Sequence, residues 1–399
     1  MKQSWRELVA SRHQAALDAG LWRTRKTLSS QQGVEAIIDA RPVINFSSND
    51  YLGLACHESL RQSAERACRD FGVGSGASHL VCGHHQLHHQ LEFELAAFVG
   101  AERAILFSSG YMANLAMAAT FLSKGDLLLQ DKLNHASLID SAKLSASNFK
   151  RYAHGDVEHA AKLASSVKFN HCMIATDSVF SMDGDIAPLR ELQSLASNHQ
   201  ALLLVDDAHG FGLLGATGQG ALSRHGLRPA AEVLMMATLG KALGCYGAFV
   251  AGDALYIEHL TQFARPYIYT TALPPSVPAS VLAALAVLAE EGDLLRARLS
   301  DNIRYFRRAA LKHDMTLRPS STAIQVIVIG DSNQAMNISS ALFNQGINLT
   351  AIRPPTVAIG SARLRVALSA AHTFAQIDRL IELLSQQLKQ DGAELSDRG

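Results

Sequence analysis

One lysine in this sequence stands where a charged side chain is unusual. Lys241 lies in the segment ATLGKALG, among small and apolar residues and directly after a strand-like run. An amine becomes a nucleophile only after it loses its proton, and apolar surroundings favour the neutral form. The setting of Lys241 therefore indicates a lysine that forms a Schiff base with a carbonyl compound.

Other polar side chains follow the neighbouring strand-like runs. The run LLLVD ends in Asp206 and is followed by His209, and the run CMIAT is followed by Asp177 and Ser181. Ligand sites of parallel α/β sheets lie beyond the carboxyl ends of the strands. The sequence therefore predicts that these side chains converge with Lys241 at one edge of a sheet.

Pyridoxal phosphate is the carbonyl cofactor that these residue types fit, because it needs a lysine, an acid at its ring nitrogen and a phosphate cradle. Asp206 can supply the acid. Opposite charges about 4 Å apart are worth roughly 4 kcal/mol at an effective dielectric of about 20, or about three pKa units. The segment SSGYMAN, residues 108–114, begins a predicted helix and offers N–H groups for the phosphate.

Two phosphate-binding motifs are imitated but not matched. GFGLLG, residues 210–215, has the glycine spacing of a dinucleotide site, but two acids and a histidine precede it where a pyrophosphate would approach. The Gly-Lys pair at 240–241 is not a P-loop, because Met235 replaces the first glycine and Ala242 the hydroxyl residue.

The elements that must position these residues are short apolar runs that alternate with helical stretches. The strand-like runs are 104–107, 127–130, 172–176, 202–206, 233–238 and 247–252. Most lack alternation, which is typical of parallel strands buried on both faces, so a doubly wound α/β sheet is predicted. After a proline-rich segment at 267–280 the pattern changes to that of a smaller α+β unit.

Bulk composition indicates an ordinary enzyme of a reducing compartment. The 399 residues carry 36 basic and 36 acidic side chains, so charge gives no argument for a nucleic-acid or membrane partner. Five scattered cysteines favour a reducing environment, and no apolar signal segment or membrane span is present, so a cytoplasmic location is expected.

A group of histidines invites a metal interpretation. Two pairs are spaced four residues apart on a predicted helix: His84 with His88, and His85 with His89. We expect Glu92 and Glu94 to face solvent, which leaves these histidines without a carboxylate or cysteine partner. No metal site is therefore predicted.

Long motifs resemble the α-oxoamine synthases, which are fold-type I pyridoxal-phosphate enzymes. The matching segments are NFSSNDYLGL, GSGASHLVCGHHQLHHQLE, FSSGYMAN, DKLNHASLIDSAKLS, TDSVFSMDGDIAPL, VDDAHGFGLLG, TLGKALG and YIYTTALPP. The resemblance implies an N-terminal helix and arm over 1–48, where Ser4 and Glu7 predict a helix-capping box. It further implies a large cofactor domain with a mostly parallel seven-stranded sheet over 49–287, and a small α+β domain over 288–399.

The resemblance also implies residue roles. Lys241 would bond the cofactor and remove a substrate proton, Asp206 would pair with the ring nitrogen, and His209 would bond the ring hydroxyl. The further cofactor contacts implied are His135, which stacks on the ring, Gly110, Tyr111, Ser181, Thr238 and, from a partner subunit, Thr271. The substrate contacts implied are Arg23, Asn49, Thr356 and Arg365, the last as a planar fork for a carboxylate.

Within the family, TAIRPPTVAIGSARLRVALSAAHT most resembles members that condense L-alanine with a pimeloyl thioester, with loss of CO2, at the start of biotin-ring assembly. Ala358 departs from their pattern, which has proline there. Glycine-using members are the alternative, and a non-catalytic protein on this scaffold is disfavoured because Lys241 and Asp206 are both present. A homodimer with active sites at the subunit interface is implied, and the acyl carrier is either CoA or an acyl-carrier protein.

Overall fold

A computed structural model describes residues 3–396 of the chain. Two compact units divide it: residues 49–299 form one, and the residues up to 48 together with those from 300 onward form the other. Each unit has its own strands and helices. The sequence-based boundaries at 48 and 287 stay predictions.

The secondary structure alternates strands and helices. The strands are β1 Glu35–Ile38, β2 Arg41–Asn45, β3 Arg103–Phe107, β4 Leu127–Asp131, β5 Asn148–Tyr152, β6 Cys172–Asp177, β7 Leu202–Asp206, β8 Val233–Thr238, β9 Ala248–Gly252, β10 Ile324–Gly330, β11 Ile347–Asn348, β12 Thr350–Ile352 and β13 Ala362–Ala367. The helices are α1 Trp5–Asp18, α2 Glu58–Phe71, α3 Gln86–Val99, α4 Gly110–Phe121, α5 Ala136–Leu144, α6 Val157–Ser165, α7 Leu189–Asn198, α8 Ala221–Arg224, α9 Ala254–Phe263, α10 Arg265–Ile268, α11 Ser276–Lys312, α12 Ser332–Asn344 and α13 Phe374–Ser396. A π-helical turn covers His79–Gly83. Along residues 3–396, no helix combines the length and the apolar character that a membrane crossing needs.

The larger unit is built on a seven-stranded sheet with the strand order β3-β9-β8-β7-β6-β4-β5. Only β9 runs against its neighbours, and the other contacts in the sheet are parallel. The predicted α/β fold with a mostly parallel seven-stranded sheet is confirmed. Six of the seven strands coincide with apolar runs in the sequence. These six strands are almost wholly buried, which is why their sequences are apolar.

The seventh strand, β5, gave no apolar signal. Its sequence is NFKRY, and only its last residue, Tyr152, is buried. The strand lies at the edge of the sheet and pairs only with β4, so most of its side chains contact water. A polar edge strand of this kind cannot be distinguished from a loop by its composition.

The parallel strands end together at the edge where the polar residues were predicted to meet. Asp177 at the end of β6 is in register with Asp206 at the end of β7, and Asp206 is in register with Met236 in β8. Helix α4 packs over this part of the sheet through fully buried residues such as Ala113 and Met117. The small alanine side chains of α4 allow its first turn to lie close to the strand ends.

One expectation about α3 was wrong. Glu92 was predicted to face solvent, but its side chain is only 17% exposed, and its Oε1 accepts a hydrogen bond from the N–H of Leu106 at 3.0 Å. The carboxylate turns inward because it satisfies a backbone donor of β3. Burial raises the pKa of Glu92 to about 7.

The smaller unit contains two three-stranded sheets, with the orders β1-β2-β11 and β10-β13-β12. Its first helix, α1, begins with the predicted capping box: Ser4 Oγ accepts from the N–H of Glu7, and Glu7 Oε2 accepts from the N–H of Ser4 at 2.9 Å. Arg365 lies on the central strand β13, where its backbone is in register with Val326 and Thr350.

Candidate active site

A cavity of about 220 Å³ opens at the carboxyl ends of β6, β7 and β8. The side chains around it are mostly polar and include a lysine, two carboxylates and two imidazoles. Its lining residues are Gly110, Tyr111, Asn114, His135, Ser137, Asp177, Val179, Ser181, Asp206, Ala208, His209, Met236, Thr238 and Lys241. The predicted convergence of strand ends is therefore observed within the unit of residues 49–299.

Lys241 belongs to a chain of hydrogen bonds. Its Nζ lies 2.8 Å from Nε2 of His209, and Nδ1 of His209 lies 2.7 Å from the hydroxyl of Tyr51. The Tyr51 hydroxyl donates to Oδ1 of Asn49 at 3.1 Å. Because Tyr51 donates to Asn49, its oxygen accepts from Nδ1–H of His209, and Nε2 of His209 is left as the acceptor for Lys241.

The carboxylate of Asp206 is held at the end of β7 by two donors. Asn114 donates from Nδ2 to Oδ2 at 2.6 Å, and the N–H of Ala208 donates to Oδ1 at 3.0 Å. Asn114 comes from the first turns of α4, and its Nδ2 also donates to Ser137 at 2.9 Å. Asp206 is buried, so these donors fix the orientation of a negative charge that borders the cavity.

A second carboxyl group, Asp177, lies in register with Asp206 on the next strand. Its Oδ2 accepts from the N–H of His135 at 3.1 Å, whereas Oδ1 is buried without a hydrogen-bond partner in residues 3–396. Burial, and then the charge of Asp206, raise the pKa of Asp177 well above its ordinary value. Two negative charges on this pair of carboxyl groups are therefore disfavoured.

His135 lines the cavity from the N-cap of α5. Its Nδ1 accepts from the N–H of Ser137 at 3.3 Å and lies 2.7 Å from the hydroxyl of Ser137. Burial lowers the pKa of His135, and Asp206 opposes this effect while Lys241 adds to it. The ring is therefore neutral near pH 7, with Nδ1 occupied by local donors.

The N-terminus of α4 forms the remaining wall. Ser109 caps the helix by accepting from the N–H of Met112, and the N–H groups of Gly110 and Tyr111 lie at the positive end of the helix. A Cβ atom added to Gly110 would lie 3.5 Å from the side chain of Met236, in the space beside the cavity. That distance is an ordinary van der Waals contact, and Gly110 itself lines the cavity, so the free N–H groups of this helix end can face an anion.

Comparison with known proteins identifies the family of this chain. The aminotransferase class I and II family matches residues 41–384. The chain is 50% identical over 388 residues to an 8-amino-7-oxononanoate synthase of Hydrogenovibrio crunogenus (strain DSM 25203 / XCL-2), covering 97% of this chain and 96% of that protein. The chain belongs to the aminotransferase class I and II family.

Comparison with solved structures agrees with the sequence match. A serine palmitoyltransferase variant from S. paucimobilis, with a bound PLP–myriocin aldimine, superposes with a TM-score of 0.89 at 30% identity, covering 97% of this chain and 98% of that one. An 8-amino-7-oxononanoate synthase from Francisella tularensis superposes with a TM-score of 0.75 at 34% identity, covering 88% and 98%. The predicted resemblance to 8-amino-7-oxononanoate synthases and the prediction of a pyridoxal-phosphate family are confirmed.

The cavity is not lined by every residue that the sequence predicted for the active site. Asn49 is connected to it through Tyr51, whereas Thr271 is an exposed residue bridged to Ser78. The three remaining predicted substrate contacts belong to the other unit: Arg23, Thr356 and Arg365. Within that unit Arg365 is 7% exposed, and Arg23 and Thr356 are exposed, so their substrate roles stay predictions.

Sequence reasoning missed two contacts of this family site. Asn114 lies one helical turn after Gly110, and that spacing could have placed it on the same face of α4. Tyr51 is 158 residues from its partner His209, and no local pattern connects the two. The first contact had a sequence signal, whereas the second depends on the packing of the whole unit.

Asp207, grouped with Asp206 at the sequence level, turns away from the cavity. Its Oδ2 accepts from the N–H of Ala221 at 2.8 Å, and its Oδ1 accepts from the hydroxyl of Ser178. Its side chain therefore links the start of α8 to the residue that follows β6. Burial raises the pKa of Asp207 to about 7.

Proposed function

We propose that this protein condenses L-alanine with a pimeloyl thioester to give 8-amino-7-oxononanoate, CO2 and the free thiol carrier, in biotin biosynthesis. The observation that carries the proposal is that Lys241, His209 and Asp206 line one cavity. The chain that holds them is 50% identical to an 8-amino-7-oxononanoate synthase. The carboxylate carbon of alanine leaves as CO2. The bond that replaces it joins the alanine α-carbon to the acyl carbon.

The cavity fits pyridoxal phosphate. Gly110 lines the cavity at a helix N-terminus whose free N–H groups can face a phosphate, and the buried Oδ1 atoms of Asn114 and Asp177 lack a partner in residues 3–396, as expected where a polar ligand completes the site. Gly110, Tyr111, Ser181 and Thr238 would hold the cofactor. When bound, pyridoxal phosphate supplies an aldehyde for the amines and a ring that accepts electrons.

Asp206 supplies a fixed negative charge for a protonated ring nitrogen. Asn114 and Ala208 hold the carboxylate in one orientation, so little reorganisation is needed when a positive charge comes near it. The raised pKa of Asp177 disfavours a second negative charge beside that of Asp206.

Lys241 acts as the base that removes the α-proton of alanine. Its Nζ donates to Nε2 of His209, and the Tyr51 hydroxyl fixes the His209 ring through Nδ1. This contact orients the amine and places an acceptor beside it. Because the amine is already held in one position, it needs no reorientation before it takes up the proton.

His135 provides a neutral aromatic face beside these groups. Its Nδ1 is occupied by Ser137, and burial keeps the ring uncharged. A neutral ring can pack on a flat cofactor and exclude water without adding a second positive charge near Lys241. Exclusion of water strengthens the electrostatic effect of Asp206.

Substrate carboxylate binding is assigned to Arg365, with Arg23, Asn49 and Thr356 contacting the substrates. A guanidinium presents two parallel N–H donors to a carboxylate, which a lysine cannot reproduce. We further propose a homodimer in which the partner's Thr271 contributes to the phosphate site. Both assignments follow the family resemblance.

Product analysis tests the proposal. The purified enzyme is incubated with L-alanine and pimeloyl-CoA or pimeloyl-acyl-carrier protein, and free thiol and amino ketone are measured. We expect 8-amino-7-oxononanoate to form, with Lys241→Ala at background. Parallel reactions use glycine with acetyl- or succinyl-CoA and serine with palmitoyl-CoA. Faster turnover with any of these pairs than with alanine and pimeloyl thioester would contradict the proposed substrates.

A further inference from the structure

A second cavity, of about 520 Å³, lies beside the start of α3 in the unit of residues 49–299. Histidine and glutamate side chains line one of its walls, and these side chains have no role in the proposed reaction. The residues of that wall that matter here are His79, His84, His89 and Glu92. His89 is exposed, so ions in solution can reach this wall.

Two overlapping sets of three side chains bring potential metal-ligand atoms within 4.8 Å of one another: His79, His84 and His88, and His84, His89 and Glu92. Imidazole nitrogen and carboxylate oxygen are ligands of zinc and of neighbouring transition metals. The two sets share His84. The hydrogen bonds of the other members distinguish between them.

His88 already uses both ring nitrogens. Its Nδ1 accepts from the N–H of His85 at 2.9 Å, and its Nε2 lies 2.7 Å from the carbonyl oxygen of Leu273. A metal ion at either nitrogen would break a buried hydrogen bond and leave a backbone group without its partner. His88 is therefore a structural residue, which leaves the set that contains Glu92.

Two members of that set, Glu92 and His84, are held by hydrogen bonds. Oε1 of Glu92 accepts from the N–H of Leu106, and Oε2 lies 3.9 Å from Nε2 of His84. Nδ1 of His84 lies 2.8 Å from Nδ1 of His79. When the proton is on Nδ1 of His84, that atom donates to His79, and Nε2 presents its lone pair toward Glu92. Metal-bound histidines are commonly fixed in this way through their second nitrogen.

We propose that His84, His89 and Glu92 bind a divalent transition-metal ion of the zinc class, with His79 as the hydrogen-bond partner of His84. His89 and Glu92 are three residues apart on α3, so they share one face of the helix. Two histidines and a glutamate are an established zinc ligand set with an open fourth position for water. All three residues line the second cavity.

Small movements would complete the coordination. Zinc–nitrogen bonds of about 2.0–2.1 Å place tetrahedral ligand atoms about 3.3 Å apart, compared with 3.9 Å between His84 and Glu92 and at most 4.8 Å across the set. The His84 side chain is 29% exposed, and His89 is exposed on the helix surface. Both rings can therefore rotate toward Glu92, which stays fixed by its backbone donor.

Zinc titration of the tag-free holoenzyme, after chelator treatment and dialysis, tests the site. Isothermal calorimetry should show one saturable zinc per chain, and Co2+ should give the visible absorption of a low-coordinate complex. We expect His84→Asn, His89→Asn and Glu92→Gln each to weaken binding by more than tenfold. His79→Asn should weaken it by about 10–100-fold, as outer-shell substitutions commonly do.

His85→Asn is the matched control. It removes a neighbouring histidine, whereas asparagine keeps the N-cap contact that His85 makes to Leu87, so zinc binding should be unchanged. Circular dichroism verifies that each variant is folded. The proposal is overturned if the wild type shows no saturable binding, or if His89→Asn and Glu92→Gln bind zinc like the wild type.

Discussion

Nζ of Lys241 lies 2.8 Å from Nε2 of His209, and the hydroxyl of Tyr51 holds that imidazole from its other side. The three side chains come from separate parts of the sequence and meet at one sheet edge. Their donor and acceptor pattern assigns the ring proton of His209 to Nδ1. Nε2 is thereby an acceptor directed at the lysine that we propose as cofactor anchor and base.

Substitution of Tyr51 tests this chain of hydrogen bonds. Tyr51→Phe removes the hydroxyl that accepts from Nδ1–H of His209, a partly buried hydrogen bond worth about 0.5–1.5 kcal/mol. We expect kcat to fall by up to about tenfold, whereas the cofactor content of the purified protein stays close to that of the wild type. Steady-state kinetics and cofactor absorbance measure the two effects.

The control for that substitution is Tyr256→Phe, on α9, where the ring packs against Phe121. It should leave kcat unchanged. Equal kcat values for Tyr51→Phe and the wild type would show that Tyr51 does not support the His209–Lys241 contact.

Asp206→Asn separates binding from turnover. The substitution retains the size of the side chain but removes the negative charge, so the ring nitrogen loses its ionic partner. At an effective dielectric of about 20 that pair is worth roughly 4 kcal/mol, so kcat should fall by up to about a thousandfold. Cofactor binding should fall much less, because the covalent anchor remains.

The control is Asp70→Asn, on the exposed face of α2, which should behave like the wild type. If Asp206→Asn loses less kcat than cofactor affinity, the assignment of Asp206 to the ring nitrogen is contradicted.

Gly110→Ala separates anion binding from stability. The added Cβ would enter the space beside Met236 at the helix N-terminus, while alanine favours the helix over glycine by up to about 1 kcal/mol. We expect the apoenzyme to melt at the same or a higher temperature, and the affinity for pyridoxal phosphate to fall. Thermal unfolding and a cofactor titration measure the two quantities, and unchanged affinity would place the phosphate elsewhere.

The sequence predicted much of this site because many of its residues lie at or just after the ends of strands. Apolar runs located six strands, and the residues after them, Asp206 and Lys241 among them, were expected to converge. The seventh strand was missed because its edge position leaves it polar, and the reversed direction of β9 has no counterpart in an apolar pattern. Contacts such as Tyr51–His209 depend on packing between distant segments, and the inward turn of Glu92 depends on a backbone donor that no local pattern reveals.

His154 should make stability depend on pH. Its Nδ1 lies 3.0 Å from Asp131 and its Nε2 lies 2.8 Å from Asp185, and these carboxylates raise the pKa of His154 to about 10. Since the unfolded pKa is about 6.5, the stabilisation is fully present below about pH 6.5 and is lost as the pH rises toward 10.

Urea denaturation of the wild type and of His154→Gln measures this contribution. The difference in unfolding free energy should be larger near pH 6 than near pH 10, because only the charged imidazolium attracts both carboxylates. His159→Gln is not a suitable control, because Nδ1 of His159 accepts from the N–H of Ala153. His199→Gln, at the end of α7, is suitable and should show no such difference. A pH-independent loss in His154→Gln contradicts the ion-pair account.

The most direct test is chemical mapping of the cofactor linkage. The purified protein is reduced with borohydride and digested, and the peptides are sequenced by mass spectrometry. We predict a phosphopyridoxyl group on Lys241 and a loss of the visible cofactor band on reduction. A modified residue other than Lys241, or a saturated holoenzyme with no modified lysine, would contradict the central claim.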